Sequence, residues 1–242
     1  AADHVAAVLA AVPGCTTAKV KVADPGGGEA DDLARLEAVR DHLGAPGRVR
    51  IDVNGGWDVA QARARIPRYD RAAGGLEYVE QPCPGVDDLA ELRRGVDVPI
   101  AADESVRLAL DPAAAKEAAD VLVLKVAPLG GVRACLALAE QVDRPVVVSS
   151  ALESSVGLAA GVALAAALPE LPYACGLGTA ALLSDDVTDD PLVPVDGVVA
   201  VRRIVPSEAR VHRLTADADR RAWWQDRLAR VDRLVEADGV RA

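Results

Sequence analysis

The chain has 242 residues, 51% of them hydrophobic, and carries a formal net charge of -10 with a pI near 4.8. That length can bury one large core, and α/β barrels commonly use about 250 residues for a single domain. The acidic balance argues against nucleic acid and an anionic membrane surface as partners, because both require a basic patch, and leaves a small molecule or another protein.

In chain order, residues 2–12 read as a helix whose acidic start lacks the order of a secretory signal. Seven short β-branched runs follow, at 16–22, 48–54, 76–81, 99–105, 121–126, 145–150 and, more weakly, 173–178. Between them, stretches rich in Ala, Leu, Arg and Glu predict helices over 29–43, 58–73, 86–95, 111–118, 131–142 and 154–168. Consecutive βα units without a long antiparallel insertion predict an α/β fold, a (β/α) TIM-like barrel rather than an open doubly wound sheet. The barrel domain is expected over 1–180, entered at its first helix, with the first barrel strand lying outside this sequence. Residues 181–242 bring an acidic turn, a VVAVRRIV strand signal and a charged helix, all expected to pack outside the barrel. Trp223 and Trp224 are expected to anchor that helix to the body rather than bind a ligand.

The longest apolar stretch, 156–168, is too short to span a bilayer and reads as a buried helix. Cys15, Cys83, Cys135 and Cys175 are scattered without a C-x-x-C pair, which fits reduced thiols and a cytoplasmic setting. The chain contains no Met and no Phe, an unusual composition for its size.

In a barrel, catalytic groups come from the C-terminal ends of several strands. Ionisable residues stand at those ends here on five successive strands: Lys19 and Lys21, then Asp52, Glu80, Asp103 and Lys125. Side chains alternate along a strand, so Lys19 and Lys21 share one face, and Arg50, Asp52 and Asn54 share another. On otherwise apolar strands these charges avoid a dry, unpaired environment only by meeting one another or an ion. Three carboxylates form an oxygen-only set suited to a hard cation such as Mg²⁺ rather than zinc. His4, His42 and His212 fall on helices or in the C-terminal segment, away from any strand end, which disfavours a His-based metal site or a Ser/His/Asp triad. Basic positions are almost all Arg, yet three of the lysines sit at strand ends, and Lys, unlike Arg, can become a base near neutral pH. Structural ion pairing explains any one pair as well as catalysis does; it explains the ordered set poorly.

That order, with the motifs TAKVKV, IDVNGGW, VEQP, ADES and LKV over residues 15–180, resembles the muconate-lactonising subgroup of the enolase superfamily. The stretch SSALESSVGLAAGVALAAALPELPYACGLGT resembles, within that subgroup, the o-succinylbenzoate synthase family. The resemblance implies Mg²⁺ held by Asp52, Glu80 and Asp103, with Asn54, Gln81 and Glu104 supporting these ligands. It implies Lys21 as the acid/base on one face of the substrate, Lys19 beside it, and Lys125 on the opposite face. The implied reaction is dehydration of 2-succinyl-6-hydroxy-2,4-cyclohexadiene-1-carboxylate, a small-molecule carboxylate, to o-succinylbenzoate in menaquinone biosynthesis. Ser149 and Ser150 are expected either to hold the succinyl carboxylate or to form the turn before the next helix. An N-terminal capping domain, which the superfamily carries, is expected to lie outside this sequence.

Two other readings stay open: an N-acylamino-acid racemase or dipeptide epimerase using Lys21 and Lys125 as alternate bases, and a non-catalytic barrel fragment. The triple glycine at 26–28 lacks the Gly-Lys-Ser/Thr of a phosphate loop and reads as a flexible βα loop. Gly130 and Gly131 line the mouth or form a tight turn.

Overall fold

The structure, a computed structural model, describes residues 4–108 and 114–237. Six strands form one parallel sheet in the order β1 to β6: β1 Thr17–Lys21, β2 Arg48–Asp52, β3 Leu76–Glu80, β4 Ile100–Ala102, β5 Val121–Leu124 and β6 Val146–Val148. Helices alternate with them: α1 Val5–Ala10, α2 Glu29–Leu43, α3 Val59–Ala72, α4 Val86–Arg93, α5 Glu104–Arg107, α6 Ala115–Ala118, α7 Val132–Val142 and α8 Ser155–Ala167. After these come α9 Glu208–Arg213 and α10 Ala218–Ala237.

The period-two alternation of the strands divides the core into two layers. Ala18, Val20, Val49, Ile51 and Val79 face outward and join Leu36, Ile66, Leu89 and Leu92 from the helices. Tyr78, Ala101, Val121, Val123 and Val147 face inward and pack on one another, with Tyr173 against them. That inner layer exists because the sheet curls. Arg50 on β2 reaches across to donate to the Ala174 carbonyl at 2.8 Å, and Tyr78 meets Tyr173 edge-on at 5.7 Å between centroids. The result is the greater part of an α/β barrel.

Local signals explain the helix ends. Asp58 accepts from the Gln61 amide while the Gln61 side chain accepts from the Asp58 N–H, a reciprocal capping box that starts α3. Helix α2 opens with Glu29, Asp31 and Asp32 against its positive end and stops at Gly44, whose φ of 67° favours glycine.

Several elements depart from the sequence reading. The run at 173–178 is not a full strand: only a parallel bridge between Ser149 and Gly176 forms, with Ser150 N–H donating to the Gly176 carbonyl at 3.1 Å. The expected strand at 99–105 ends at Ala102, because the Asp103 and Ser105 amides both donate to Gln81 Oε1, at 3.0 Å each, instead of to a neighbouring strand. Residues 104–107 are therefore helical. Of the helix expected over 111–118, residues 111–113 lie outside the described residues and Ala115–Ala118 is helical; residues 2 and 3 of the first helix also lie outside them. The VVAVRRIV segment forms a single antiparallel bridge, Val195 to Val198, in place of a strand; its Ile204 is buried while Val201 and Val205 are exposed.

Trp223 and Trp224 do not anchor α10. They are 45% and 55% exposed and pack edge-on against each other, with Arg220 and Arg227 of their own helix over the rings. Among the described residues no helix is long and apolar enough to cross a membrane; α8 is buried along one face only, at Leu158, Gly161, Val162 and Leu164, while Val156, Ala163, Ala166 and Ala167 are exposed, so the wholly buried helix expected there is one-sided. All four cysteines are free thiols.

Candidate active site

Strand register sets the site. Lys21 pairs with Asp52 across β1 and β2, and Asp52 pairs with Glu80 across β2 and β3, so the three polar side chains emerge side by side at the C-terminal end of the sheet. Asp103 follows β4 directly and Lys125 follows β5 directly. Asp52, Glu80 and Asp103 are each only 1% exposed, an environment that carboxylates occupy only when paired or ligated.

The pairing is supplied by the lysines. Lys19 Nζ donates to Asp52 Oδ2 at 2.8 Å and to Glu80 Oε1 at 2.6 Å. Lys21 Nζ donates to the same Asp52 oxygen and to Asn54 Oδ1, both at 2.6 Å, and Lys125 Nζ donates to Asp103 Oδ2 at 2.6 Å. Burial alone would lower the Lys19 pKa, but Glu80 and Asp52 outweigh it and hold the ammonium above the ordinary lysine range. Burial likewise opposes ionisation of Asp52, and Lys19 with Lys21 outweighs it, so Asp52 titrates below the usual carboxylate range. At Glu80 the balance goes the other way. Burial, aided by the Asp52 and Asp103 charges, pushes its carboxyl up to about 7 despite Lys19.

The structure thus brings all six expected ionisable residues to one rim, as ammonium–carboxylate pairs. The three acids do not converge on one point: among the described residues no three His, Cys, Asp or Glu side chains stand together in ligating range. Lys19 is set between Asp52 and Glu80, and Lys125 pairs with Asp103. In kind the residues fit a hard divalent cation. They are oxygen donors only, they come from adjacent strands, and buried Asp103 Oδ1 has no hydrogen-bond partner.

The supporting residues divide by what they hold. Asn54, at a φ of 49° that Asn tolerates, accepts from Lys21, donates its backbone N–H to Asp52 Oδ1 at 3.1 Å, and donates its amide to Glu104 Oε1 at 3.4 Å. Gln81 is fully buried. Besides accepting from the Asp103 and Ser105 amides, it donates to Ser105 Oγ at 2.7 Å and to the Cys83 carbonyl at 2.8 Å, so it fixes the backbone that carries Asp103. Glu104 accepts from Arg107 Nη2 at 2.7 Å. The Ser150 hydroxyl is engaged by its own loop, accepting from Leu152 N–H at 2.8 Å and lying 2.6 Å from Thr179 Oγ1. Ser149 donates its backbone N–H to the Leu124 carbonyl at 2.9 Å and faces Gly176 in the parallel bridge that Ser150 N–H and the Val148 carbonyl close.

Arg107, Ser105 and Thr179 were not anticipated from sequence. Arg107 carried a legible signal, since it lies three residues after Glu104 and four after Asp103, the spacing of helical neighbours. Two grooves, of about 520 and 570 Å³, lie at the N-terminal ends of the strands, and no site residue lines them. That face of a barrel serves stability.

Residues 2–206 match the family described as enolase C-terminal domain-like. An o-succinylbenzoate synthase from Thermobifida fusca is 65% identical over 226 residues, which is 93% of this chain and 70% of the relative. An o-succinylbenzoate synthase from Mycobacterium tuberculosis is 56% identical over 230 residues, 94% of this chain and 69% of the relative. A solved mandelate racemase/muconate lactonizing family protein from Azoarcus sp. EbN1 superposes with a TM-score of 0.76 at 27% identity, covering 90% of this chain and 62% of that one.

Proposed function

Because the chain belongs to the enolase C-terminal domain-like family and, within it, to the o-succinylbenzoate synthase family, a family of hydro-lyases, we propose a dehydration and assign its parts to residues. The substrate is 2-succinyl-6-hydroxy-2,4-cyclohexadiene-1-carboxylate, the product o-succinylbenzoate, and the setting the cytoplasmic synthesis of menaquinone. The observation that carries this reading is the ordered rim of Lys19, Lys21, Asp52, Glu80, Asp103 and Lys125, joined by ion pairs on consecutive strand ends in a chain 65% identical to a protein of that name.

Asp52, Glu80 and Asp103 would hold Mg²⁺, which when bound supplies concentrated positive charge beside the substrate carboxylate. Pairing a lysine base with Mg²⁺ and an ene-diolate is the general pattern of enolase-superfamily sites. Lys21, as the neutral amine, takes the proton α to the carboxylate and returns it to the departing hydroxyl. One C–H and one C–O bond break, a C=C bond forms, and water leaves as the ring becomes aromatic. Lys19 remains an ammonium, neutralising Asp52 and Glu80. Lys125, the less exposed amine at 15%, stands across the rim as a fixed cation for the electron-rich intermediate. Gln81 holds the Asp103 turn, and Ser149 and Ser150 shape the loop that meets the succinyl end.

Incubating the intact protein with the cyclohexadiene substrate and Mg²⁺ should yield o-succinylbenzoate, and a folded protein giving no product overturns the reading. One observation favours a second activity: Lys21 and Lys125 hold separate carboxylates on opposite sides of the rim, the layout of two-base racemisation of an N-acylamino acid or dipeptide. Deuterium incorporation at Cα from both enantiomers is the mark of that reaction.

A further inference from the structure

Arg107 lies at the end of a polar chain that runs around the rim to Lys21. Its Nη2 donates to Glu104 Oε1 at 2.7 Å; that oxygen also accepts from Asn54 Nδ2 at 3.4 Å; and Asn54 Oδ1 accepts from Lys21 Nζ at 2.6 Å. The same guanidinium places its Nε 3.5 Å from Asp103 Oδ1, the carboxylate whose other oxygen takes Lys125. One planar fork therefore faces two adjacent carboxylates whose remaining contacts lead to the two outer lysines. Asp103 Oδ1, Glu104 Oε2 and Arg107 Nε are all buried without a hydrogen-bond partner, so this corner is held by charge and by few bonds.

Resting on the dehydratase reading above, we propose that Arg107 is a positioning residue. It fixes the Asp103–Glu104 corner, so that Asp103 presents Oδ1 inward, and through Glu104 and Asn54 it sets where the Lys21 amine stands. Nothing in this requires Arg107 to touch substrate. Its side chain is 29% exposed on a one-turn helix, and what it contacts is the pair of carboxylates. A guanidinium suits the position because its fork spans two carboxylates at once, whereas a lysine reaches one.

The test uses the intact protein and the substitutions Arg107→Gln and Arg107→Lys, each checked for an unchanged circular dichroism spectrum. Calorimetric titration with Mg²⁺ in the absence of substrate should show Arg107→Gln binding several-fold more weakly and Arg107→Lys recovering most of that loss. In turnover, Arg107→Gln should lower kcat by about 10- to 100-fold with KM changed less than about threefold, the pattern of a misplaced catalytic group. Arg107→Lys should remain well below wild type in kcat although its metal binding is restored. Combining Arg107→Gln with Asn54→Ala should add little to the kcat loss of either substitution alone, since both interrupt the same chain. Metal affinity and kcat both within twofold of wild type for Arg107→Gln, or fully additive losses in the double variant, would overturn the proposal. The Mg²⁺ titration needs no substrate, so failure of the dehydratase assignment, seen as an inactive wild type, is distinguishable from failure of the positioning role.

Discussion

Replacing Glu80 by Gln tests the electrostatic account of the rim. Glu80 is 1% exposed, and burial together with Asp52 and Asp103 pushes its carboxyl from 4.5 up to about 7. A carboxyl with a raised folded pKa binds its proton more tightly in the fold than in the unfolded chain. Its contribution to stability is therefore fully present below about pH 4.5 and is lost as pH rises through about 7. At about 1.4 kcal/mol per pKa unit, the interval from 4.5 to about 7 corresponds to roughly 3 kcal/mol of destabilisation at pH 8. Gln is neutral at every pH and keeps an oxygen for Lys19, so it should remove most of that cost. The expected gain is about 1–3 kcal/mol at pH 8 in EDTA, at about 2–4 °C in Tm per kcal/mol for a chain of this size. The assay is thermal unfolding of both proteins at pH 4, 6 and 8, followed by circular dichroism. The variant's advantage should shrink towards pH 4. With Mg²⁺ added the order should reverse if Glu80 is one of its ligands as proposed, because the ion stabilises the state that binds it. A Glu80→Gln protein that melts below wild type at pH 8 in EDTA would refute the reasoning.

Lys21→Ala should abolish turnover of the cyclohexadiene substrate, whereas Lys125→Arg, which keeps the charge and loses the base, should retain part of any dehydration while eliminating racemisation; steady-state kinetics on both substrates checks this. Arg40→Ala should cost about 2–4 kcal/mol in urea unfolding, because the guanidinium bonds four carbonyls, those of Ala73, Gly44, Gly47 and Gly75 at 2.6, 2.8, 2.8 and 3.3 Å, tying the ends of α2 and α3 together. Cys83 and Cys135, fully buried with thiols pushed up to about 11 by that burial, should resist iodoacetamide at pH 8 in the folded protein while the partly exposed Cys15 labels; peptide mass spectrometry reads the difference.

The barrel and its rim were legible because both leave periodic traces. Lys19, Lys21, Asp52 and Glu80 interrupt β-branched runs at the alternation that turns them inward, and no turn propensity competes with that reading. What escaped was decided by tertiary bonds. The strand expected at 99–105 reads as β by composition, yet Gln81, more than twenty residues upstream, takes the Asp103 and Ser105 amides and ends it. At 173–178, Gly176 stands so close to the end of β6 that a Cβ there would lie 2.7 Å from Ser149 Oγ; the segment joins the ladder at one bridge and is otherwise held by side chains, Tyr173 on Tyr78 and Arg50 on the Ala174 carbonyl. The tryptophans of α10, expected to anchor that charged helix, are exposed together with Leu228, Val231 and Leu234.

The three rim lysines share a residue type but not an environment, and the difference bears on which of them exchanges a proton. Lys19 lies between two buried carboxylates, which hold it above the ordinary lysine range, so it keeps its charge at neutral pH. Lys125 is 15% exposed and, among the described residues, bonded to Asp103 alone, so its ammonium is set deep and close to one acid. Lys21 is 52% exposed, and one of its two acceptors is the neutral Asn54 amide. A base has to meet its substrate and has to release a proton without abandoning a buried carboxylate. Loss of the Lys19 proton would leave Asp52 and Glu80 to repel each other, and loss of the Lys125 proton would leave Asp103 with only the distant edge of Arg107. Loss of the Lys21 proton still leaves Asp52 bonded to Lys19. On the dehydration proposed above, the redundancy at Asp52, two ammonium groups on one oxygen, is what would free Lys21 to act as the base.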